Sequence, residues 1–155
     1  MADIKTSHNP LFLREEVLRN SIEQLFFAYR DFTGEADTIL AKRDMGRAHH
    51  RVIYFVGRNP DITVTDLLTI LNITKQSLSR VLSRLVDDGY INTTQGSNDK
   101  RQRLLSLTDK GITLERELTT VQMARFSRAY KKAGVESVDG FLRVLEHMTD
   151  EKSTS

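Results

Sequence analysis

The sequence predicts a mainly α protein with one small β-hairpin, and three observations support this fold class. Apolar residues recur at helical spacing over most of the chain. Two short runs, "YINTTQ" and "RQRLLSLT", instead alternate like strands around the turn-forming "GSNDK". Just before them, two short helical patterns are separated by only Asn72 and Ile73. We therefore expect a helix-turn-helix followed directly by a hairpin, the arrangement of a winged helix-turn-helix.

The second of these helical patterns is "TKQSLSRVLSRLVDDGYI", residues 74–91. Thr74 suits an N-cap and Gly89 a C-terminal position, which predicts a helix over about 74–88. One face repeats apolar residues at i, i+3, i+4, i+7 and i+8 and is expected to pack on a core. The other face mixes short polar side chains with arginine, as suits phosphates and base edges, although an ordinary solvated face is the alternative. The residues expected to meet DNA here are Lys75, Gln76, Ser77, Ser79, Arg80 and Arg84.

The first helical pattern lies in "DITVTDLLTILNIT" and forms the supporting helix of the motif. Thr63 and Asp66 have the spacing of a capping box. The following helix, 74–88, is then the recognition helix that enters the major groove. Thr63 and Thr65 stand at the start of the supporting helix, where a hydroxyl or a backbone N–H can meet a phosphate.

The hairpin after the recognition helix is predicted to be the wing. Its tip and edge carry Asp99, Lys100, Arg101 and Arg103. We expect Arg101 to enter the minor groove, with Asp99 orienting it through a charge-assisted hydrogen bond. A hairpin tip that is simply solvated is the alternative.

Length and composition fit one soluble globular domain of 155 residues, with 39% hydrophobic and 28% charged residues. The absence of cysteine excludes disulfides, cysteine-ligated zinc and thiol redox sensing. No apolar run approaches the roughly 18 residues of a membrane span. The start "MADIKTSHNP" also lacks the apolar centre of a signal peptide. We expect a cytoplasmic protein with no membrane partner.

The net charge of +2 is unevenly distributed along the chain. Residues 42–103 hold 11 Lys/Arg against 6 Asp, a net charge of +5, whereas the remainder holds 12 Lys/Arg against 15 Asp/Glu, a net charge of −3. The positive charge therefore surrounds the predicted recognition helix, which favours double-stranded DNA as the partner.

Enzymatic and metal-binding alternatives find little support. His49 and His50 are adjacent, so on a helix they point about 100° apart, and His8 and His147 are distant in sequence. There is no Gly-rich phosphate loop, no Gly-x-Ser-x-Gly and no acid pair in a recognisable setting. We expect no catalytic activity, no cofactor and no metal site.

The string "DKRQRLLSLTDKG", residues 99–111, resembles the wing signature of the MarR family of bacterial winged-helix regulators. That signature is Asp-x-Arg followed by Leu-x-Leu-Thr-x-x-Gly, and the resemblance extends over roughly residues 10–148. Leu68 and Asn72 replace the Ala and Gly common in the family, and Asn tolerates the left-handed turn. The neutral residues 92–94 depart from a strand that is often basic. The resemblance implies a transcriptional regulator acting as a homodimer on a palindromic operator.

The flanking helices complete the architecture that the resemblance implies, within a single domain of residues 1–155. Helices are predicted at about 11–42, 47–58, 108–132 and 137–148, with a break at Ala133 and Gly134. About 10–42 and 108–148 would interlock with a second subunit, and about 45–107 would form the DNA-binding lobe. A monomer could also bury the apolar stripe of the last helix against its own long helices.

The resemblance also implies control by a small aromatic or anionic compound, bound between the dimerisation helices and the DNA-binding lobe. Tyr29, Phe32, Met45 and His49 lie near the expected cleft, although all four could simply pack in a core. Two other classes stay open. One is a regulator of the same fold that acts mainly through a protein partner and binds DNA weakly, and the other is a small-molecule enzyme on a helical dimer.

Overall fold

The computed structural model describes residues 10–150, as two compact units that divide after Gly34. The first unit contains a 3-10 turn, Leu11–Leu13, and most of helix α1, Glu15–Ala41. The sequence predicted a helix from residue 11, which is wrong at its start because Arg14 is extended, with φ −69° and ψ 145°. The helix begins at two acidic residues, Glu15 and Glu16, which favour a helix N-terminus.

The second unit holds the remaining elements. It confirms the predicted helix-turn-helix and hairpin, and each of its predicted helices is present within a few residues of the expected bounds. The elements are the end of α1, α2 (Arg47–Arg58), β1 (Ile62–Thr63), α3 (Val64–Leu71), α4 (Lys75–Asp87), β2 (Ile91–Gln95), β3 (Arg103–Leu107), α5 (Asp109–Ala133) and α6 (Val135–Met148).

The hydrophobic core of this unit lies beneath α3 and α4. Each fully buried Leu or Ile side chain contributes about 1.5–3 kcal/mol of transfer free energy, so the core fixes the position of both helices. The core residues that are less than 2% exposed and belong to α2, α3, α4, the sheet and α5 are Val52, Ile53, Val56, Leu67, Leu78, Leu85, Ile91, Leu105, Leu114 and Leu118.

The three strands form one antiparallel sheet in the order β1-β3-β2. In the hairpin, Ile91 faces Leu107 and Gln95 faces Arg103. Strand β1 was not predicted, because two residues are too few to show an alternating pattern. Its pairing of Ile62 with Leu105 ties the start of α3 to the hairpin.

The break between the last two helices is as predicted, but α6 begins two residues earlier than expected, at Val135. Gly134 is both the C-cap of α5 and the N-cap of α6, with φ 90° and ψ 161°. Since a positive φ combined with an extended ψ is adopted almost only by glycine, this residue lets one helix follow another without a loop.

The Leu-Thr-x-x-Gly part of the wing signature joins the recognition helix to α5. The Thr108 hydroxyl donates to Gly89 O at 2.6 Å and accepts from Gly111 N at 3.1 Å. A Cβ at Gly111 would lie 2.1 Å from Tyr90 O, a distance that no side chain tolerates. Thr108 N donates to the same carbonyl at 3.0 Å. Residue 111 must therefore be glycine for α5 to lie this close to the end of α4.

No helix within residues 10–150 is both long enough and apolar enough to cross a membrane.

Candidate nucleic-acid interface

The recognition helix α4 separates a buried face from an exposed polar face, as its sequence predicts. Leu78, Leu82 and Leu85 are buried, whereas Gln76 and Arg80 are exposed. Because the buried leucines pack on the core, the exposed side chains are presented from a fixed scaffold. The other exposed polar residues of this face are Lys75, Ser77, Ser79 and Ser83.

The turn into α4 has the geometry expected of a helix-turn-helix. Asn72 adopts the left-handed conformation, with φ 51° and ψ 47°, which confirms that Asn can serve at this position. The Thr74 hydroxyl accepts from Ser77 N at 3.1 Å, so the predicted N-cap is confirmed. Thr74 Oγ1 also donates to Ser77 Oγ at 2.8 Å, which holds the Ser77 side chain beside the first turn.

At the start of α3, the two threonines differ. Thr63 is the N-cap, and its hydroxyl accepts from Asp66 N at 3.1 Å. Its oxygen is thereby engaged within the helix. Thr65 lies in the first turn and is exposed, so its side chain is the more accessible of the two to a phosphate.

The hairpin tip contains the contact that the sequence analysis expected between Asp99 and Arg101. Asp99 Oδ1 accepts from the Arg101 backbone N at 3.0 Å and lies 3.4 Å from Arg101 Nε. The Arg101 side chain is 93% exposed, so the carboxylate orients a guanidinium that projects into solvent. Lys100 and Arg103 are exposed beside it.

The tip is shaped by a close approach at Gly96. Gly96 N donates to Gln102 O at 3.0 Å, and Gln102 N donates to Asp99 O at 3.1 Å. A Cβ at Gly96 would come within 2.7 Å of Asp99 O. This turn brings Asp99 back to the position from which it holds Arg101.

Arg84 differs from what its place in the helical pattern suggests. Its Nη1 donates to Asp44 O, and its Nη2 donates to Arg43 O at 2.9 Å. Its Nε lies 3.5 Å from an Asp88 carboxylate oxygen. The side chain that was expected to meet DNA is thus bound within the protein, and its three nitrogen atoms all have protein partners.

Strand β2 presents the neutral surface that its sequence predicts. Ile91 is buried, whereas Asn92, Thr93, Thr94 and Gln95 are exposed. The first strand of the wing therefore adds hydrogen-bonding groups but no positive charge.

The four residues proposed for a ligand cleft fall in both units. Met45 is only 7% exposed, and the half-buried His49 accepts at Nδ1 from Gly46 N at 3.1 Å. Burial lowers the pKa of His49, and the nearby charge of Arg84 lowers it further. In the first unit, Tyr29 is exposed and Phe32 is half-buried. The ligand cleft stays a prediction.

A cavity of about 380 Å³ lies elsewhere in the second unit. It is open to solvent and contains none of the four residues expected to bind a ligand. Its lining is Asn59, Ile62, Asp66, Thr69 and Ile70.

Within residues 10–150, no three His, Asp or Glu side chains cluster as a metal site would require. His8 lies outside the described residues. His49 already uses Nδ1 to accept from the backbone.

Two cations near the recognition helix were missed by sequence reasoning. Lys110 Nζ donates to Asp88 O at 2.8 Å and lies 4.3 Å from the centre of the Tyr90 ring. Arg43 Nη2 donates to Glu117 of α5 at 3.1 Å. No local pattern identifies either contact, because the partners are 22 and 74 residues away in sequence.

The helix pair α3–α4 with the following hairpin defines a winged helix-turn-helix protein. A family model described as the MarR family matches residues 43–102. The HTH-type transcriptional regulator PetP of Rhodobacter capsulatus is 54% identical over 140 residues, which cover 90% of this chain and 84% of PetP. The chain belongs to the MarR family of transcriptional regulators. This membership confirms the expectation that the chain is not an enzyme.

Solved structures share the fold at low sequence identity. Streptococcus pneumoniae FabT in complex with DNA has a TM-score of 0.75 at 20% identity, covering 84% of this chain and 94% of FabT. A mutant MarR from E. coli, complexed with operator DNA, has a TM-score of 0.67 at 21% identity, covering 92% of this chain and all of that one.

Proposed function

We propose that this regulator binds double-stranded DNA sequence-specifically, with α4 in the major groove and the hairpin wing at the adjacent minor groove. One observation carries the proposal. The exposed face of α4 offers Gln76, Ser79 and Arg80, while its opposite face is locked into the core by Leu78, Leu82 and Leu85. Arginine and glutamine are the side chains that read guanine and adenine edges bidentately.

The wing supports the same proposal from a second direction. Arg101 projects from the tip with its guanidinium held by Asp99, and arginine is the side chain best suited to a narrow minor groove. Lys100 and Arg103 add positive charge for the phosphates, and Thr65 adds a contact at the start of α3. The complexes of FabT and of E. coli MarR with DNA support this placement by likeness of fold.

We further propose that the protein is a homodimer on a palindromic operator. Apolar side chains that a soluble monomer would normally bury are exposed on the 3-10 turn, α1, α5 and α6. A second copy that covers them under two-fold symmetry would present two α4 helices to successive major grooves, about 34–36 Å apart. The most exposed are Leu11, Phe12, Ile22 and Phe26 in the first unit, and Met123, Val135, Val144 and Met148 in the second, each between 59% and 82% exposed.

The proposal includes control by a small aromatic or anionic compound. It is supported by the family and by a 23%-identical relative, the E. coli homoprotocatechuate degradative operon repressor, whose name refers to degradation of an aromatic acid. Such a ligand must bind one separation of the two recognition helices better than another, since equal affinity for both would shift nothing. Titration of the DNA complex with a panel of aromatic acids tests this, and release by none of them would count against it.

The DNA-binding proposal is tested by selecting DNA from a random library with the purified protein. We expect an enriched inverted repeat and an affinity that falls steeply with salt. A random fragment of the same length is the control. Weak binding without enrichment, together with capture of a protein by the same purified regulator, would favour the alternative of a regulator that acts through a protein partner.

Deletion of residues 135–155 tests the dimer, and a truncated protein that still sediments as a dimer would contradict it.

A further inference from the structure

Arg84 occupies the last turn of the recognition helix, one turn after Arg80, yet the two arginines are used differently. Arg84 donates from Nη1 to Asp44 O and from Nη2 to Arg43 O at 2.9 Å. Its Nε faces the Asp88 carboxylate at 3.5 Å. Among the described residues, Arg80 has no hydrogen-bond or salt-bridge partner and is exposed. One arginine of the helix is therefore free for a ligand, and the other is bound to the loop between α1 and α2.

The loop that receives Arg84 is itself held in place. Asp44 has φ 55°, a left-handed conformation that fixes the direction of its carbonyl. The next residue, Met45, is buried and donates its N–H to Leu40 O at 3.0 Å. Arg43 donates to Ile39 O and to Glu117 of α5, both at 3.1 Å. The two acceptors are thus connected to α1 and to α5.

Arginine is the one side chain that fits this contact. Its planar guanidinium offers donors in a rigid fork, which two adjacent carbonyl oxygens can occupy together. A lysine ammonium is a compact, strongly hydrated charge on a flexible stem and cannot reproduce the fork. Base recognition needs side chains held within about 0.5 Å of their working positions, so a fixed helix end matters for specificity.

We propose that Arg84 is a positioning residue for DNA recognition. It fixes the orientation of α4 through the carbonyl oxygens of Arg43 and Asp44 and makes no phosphate contact itself. The inference rests on the proposed DNA binding. It means that base recognition by Gln76 and Arg80 depends in part on Arg84, which contacts neither the DNA nor these two side chains.

The test compares Arg84→Lys, Arg84→Ala and Arg101→Ala. Each variant is titrated with a fragment selected by the wild-type protein and with a random fragment of equal length, at several salt concentrations. For both Arg84 variants we expect the selected-to-random affinity ratio to fall about tenfold, the size of one lost bidentate base contact, with the log–log salt slope unchanged. For Arg101→Ala we expect the slope to fall by about 1, since a DNA-contacting charge is lost.

Two results would overturn the inference. One is an Arg84→Lys protein with the wild-type affinity ratio, because lysine keeps the charge and loses the fork. The other is a salt slope that falls by about 1 in Arg84→Ala, which would make Arg84 a phosphate contact. A wild-type protein that binds no DNA would instead remove the proposed function, and this inference with it.

The affinity ratio does not depend on the fraction of correctly folded protein, since that fraction affects both fragments equally. Should Arg84→Lys fail to fold, NMR of the wild-type protein decides. We expect the Arg84 Nε–H resonance to keep its frequency when DNA is added, while that of Arg101 shifts. An Arg84 shift as large as that of Arg101 would overturn the inference.

Discussion

The two ends of the recognition helix α4 have different surroundings. Its first two turns present exposed polar side chains, including Gln76 and Arg80. Its last turn is tied to other elements by Arg84, which reaches the loop before α2, and by Lys110, which reaches back to Asp88 O. The contrast shows how a helix can expose polar side chains for a ligand in its first turns and still keep a defined direction, because side chains in its last turn are bound to other elements.

The anchored end continues into α5 through the Leu-Thr-x-x-Gly segment. Thr108 caps α5 and also donates to Gly89 O, so one hydroxyl joins the end of α4 to the start of α5. In a dimer built on α5 and α6, a movement of these helices would therefore be passed directly to the fixed end of the recognition helix, while its exposed end would follow.

The anchored end can be broken most severely at Gly111. We expect Gly111→Ala to destabilise the fold by about 3 kcal/mol, the upper range for overpacking, because its Cβ would lie 2.1 Å from Tyr90 O. Urea denaturation followed by circular dichroism measures the change. Gly140→Ala is the matched control, since nothing lies within 4 Å of its Cβ, and equal stability of the two variants would contradict the close approach.

A smaller break is expected at the hydroxyl of Thr108. Thr108→Val keeps the shape but removes the cap of α5 and the bond to Gly89 O, and should cost about 1–2 kcal/mol. Thr108→Ser keeps both bonds and should retain most of the stability. The free energies of unfolding of the two variants provide the check, and a valine variant as stable as the serine variant would show that the joint does not depend on these bonds.

The exposed side chains at the tip of the wing can be replaced without disturbing the fold. Asp99→Asn should weaken DNA binding by less than Arg101→Ala, which we expect to lower affinity about tenfold, the loss of roughly one good contact. Removing the carboxylate loosens Arg101 but leaves its charge in place. Fluorescence anisotropy on one DNA fragment compares them, with melting temperatures as the control for folding. A lower DNA affinity for Asp99→Asn than for Arg101→Ala would show that Asp99 has a role beyond orienting Arg101.

The smallest expected effect is a dependence of the free energy of unfolding on pH, and it arises from two histidines of α2. Burial lowers the pKa of both His49 and His50 below the ordinary value of 6.5. Asp37 and Glu115 oppose the shift at His50, and Arg51 adds to it. The unfolded chain therefore binds protons at a higher pH than the folded protein does.

It follows that the stabilising contribution of the neutral imidazoles is complete above pH 6.5 and is lost as the pH falls toward the folded pKa values. For His49 the Gly46 N–H donated to Nδ1 also requires the neutral ring. Unfolding by urea at pH 8, 7, 6 and 5.5 should show a decline that is shallower in a His49→Gln, His50→Gln variant. A wild-type protein whose stability rises over this range would refute the expected sign.

The parts of the fold and site that the sequence predicts are those written in local patterns. The bounds of α2, the caps at Thr63 and Thr74, and the left-handed Asn72 each depend on residues within a few positions of one another. The Asp99–Arg101 contact spans only two positions. Short-range hydrogen bonding and side-chain periodicity are sufficient to predict such features.

The features that escape prediction depend on the main chain of distant segments. Arg84 was expected to face DNA because the helical pattern places it on the polar face of the helix. Nothing in residues 74–91 reveals that its acceptors are carbonyl oxygens 40 and 41 residues earlier. The early start of α6 has a local cause instead, the backbone conformation of the adjacent Gly134. Main-chain acceptors are present at every residue, so their identity carries no signal.

The contact made by Arg84 has a consequence for which substitutions the chain can accept. Since its acceptors are backbone oxygens, side chains at positions 43 and 44 can change without removing them. The constraint at residue 44 is instead the positive φ, which admits Asn and Gly and disfavours β-branched residues. In a saturation library, position 84 should then accept few replacements. At position 44, the tolerance of a replacement should depend on its preference for a positive φ and hardly on its charge.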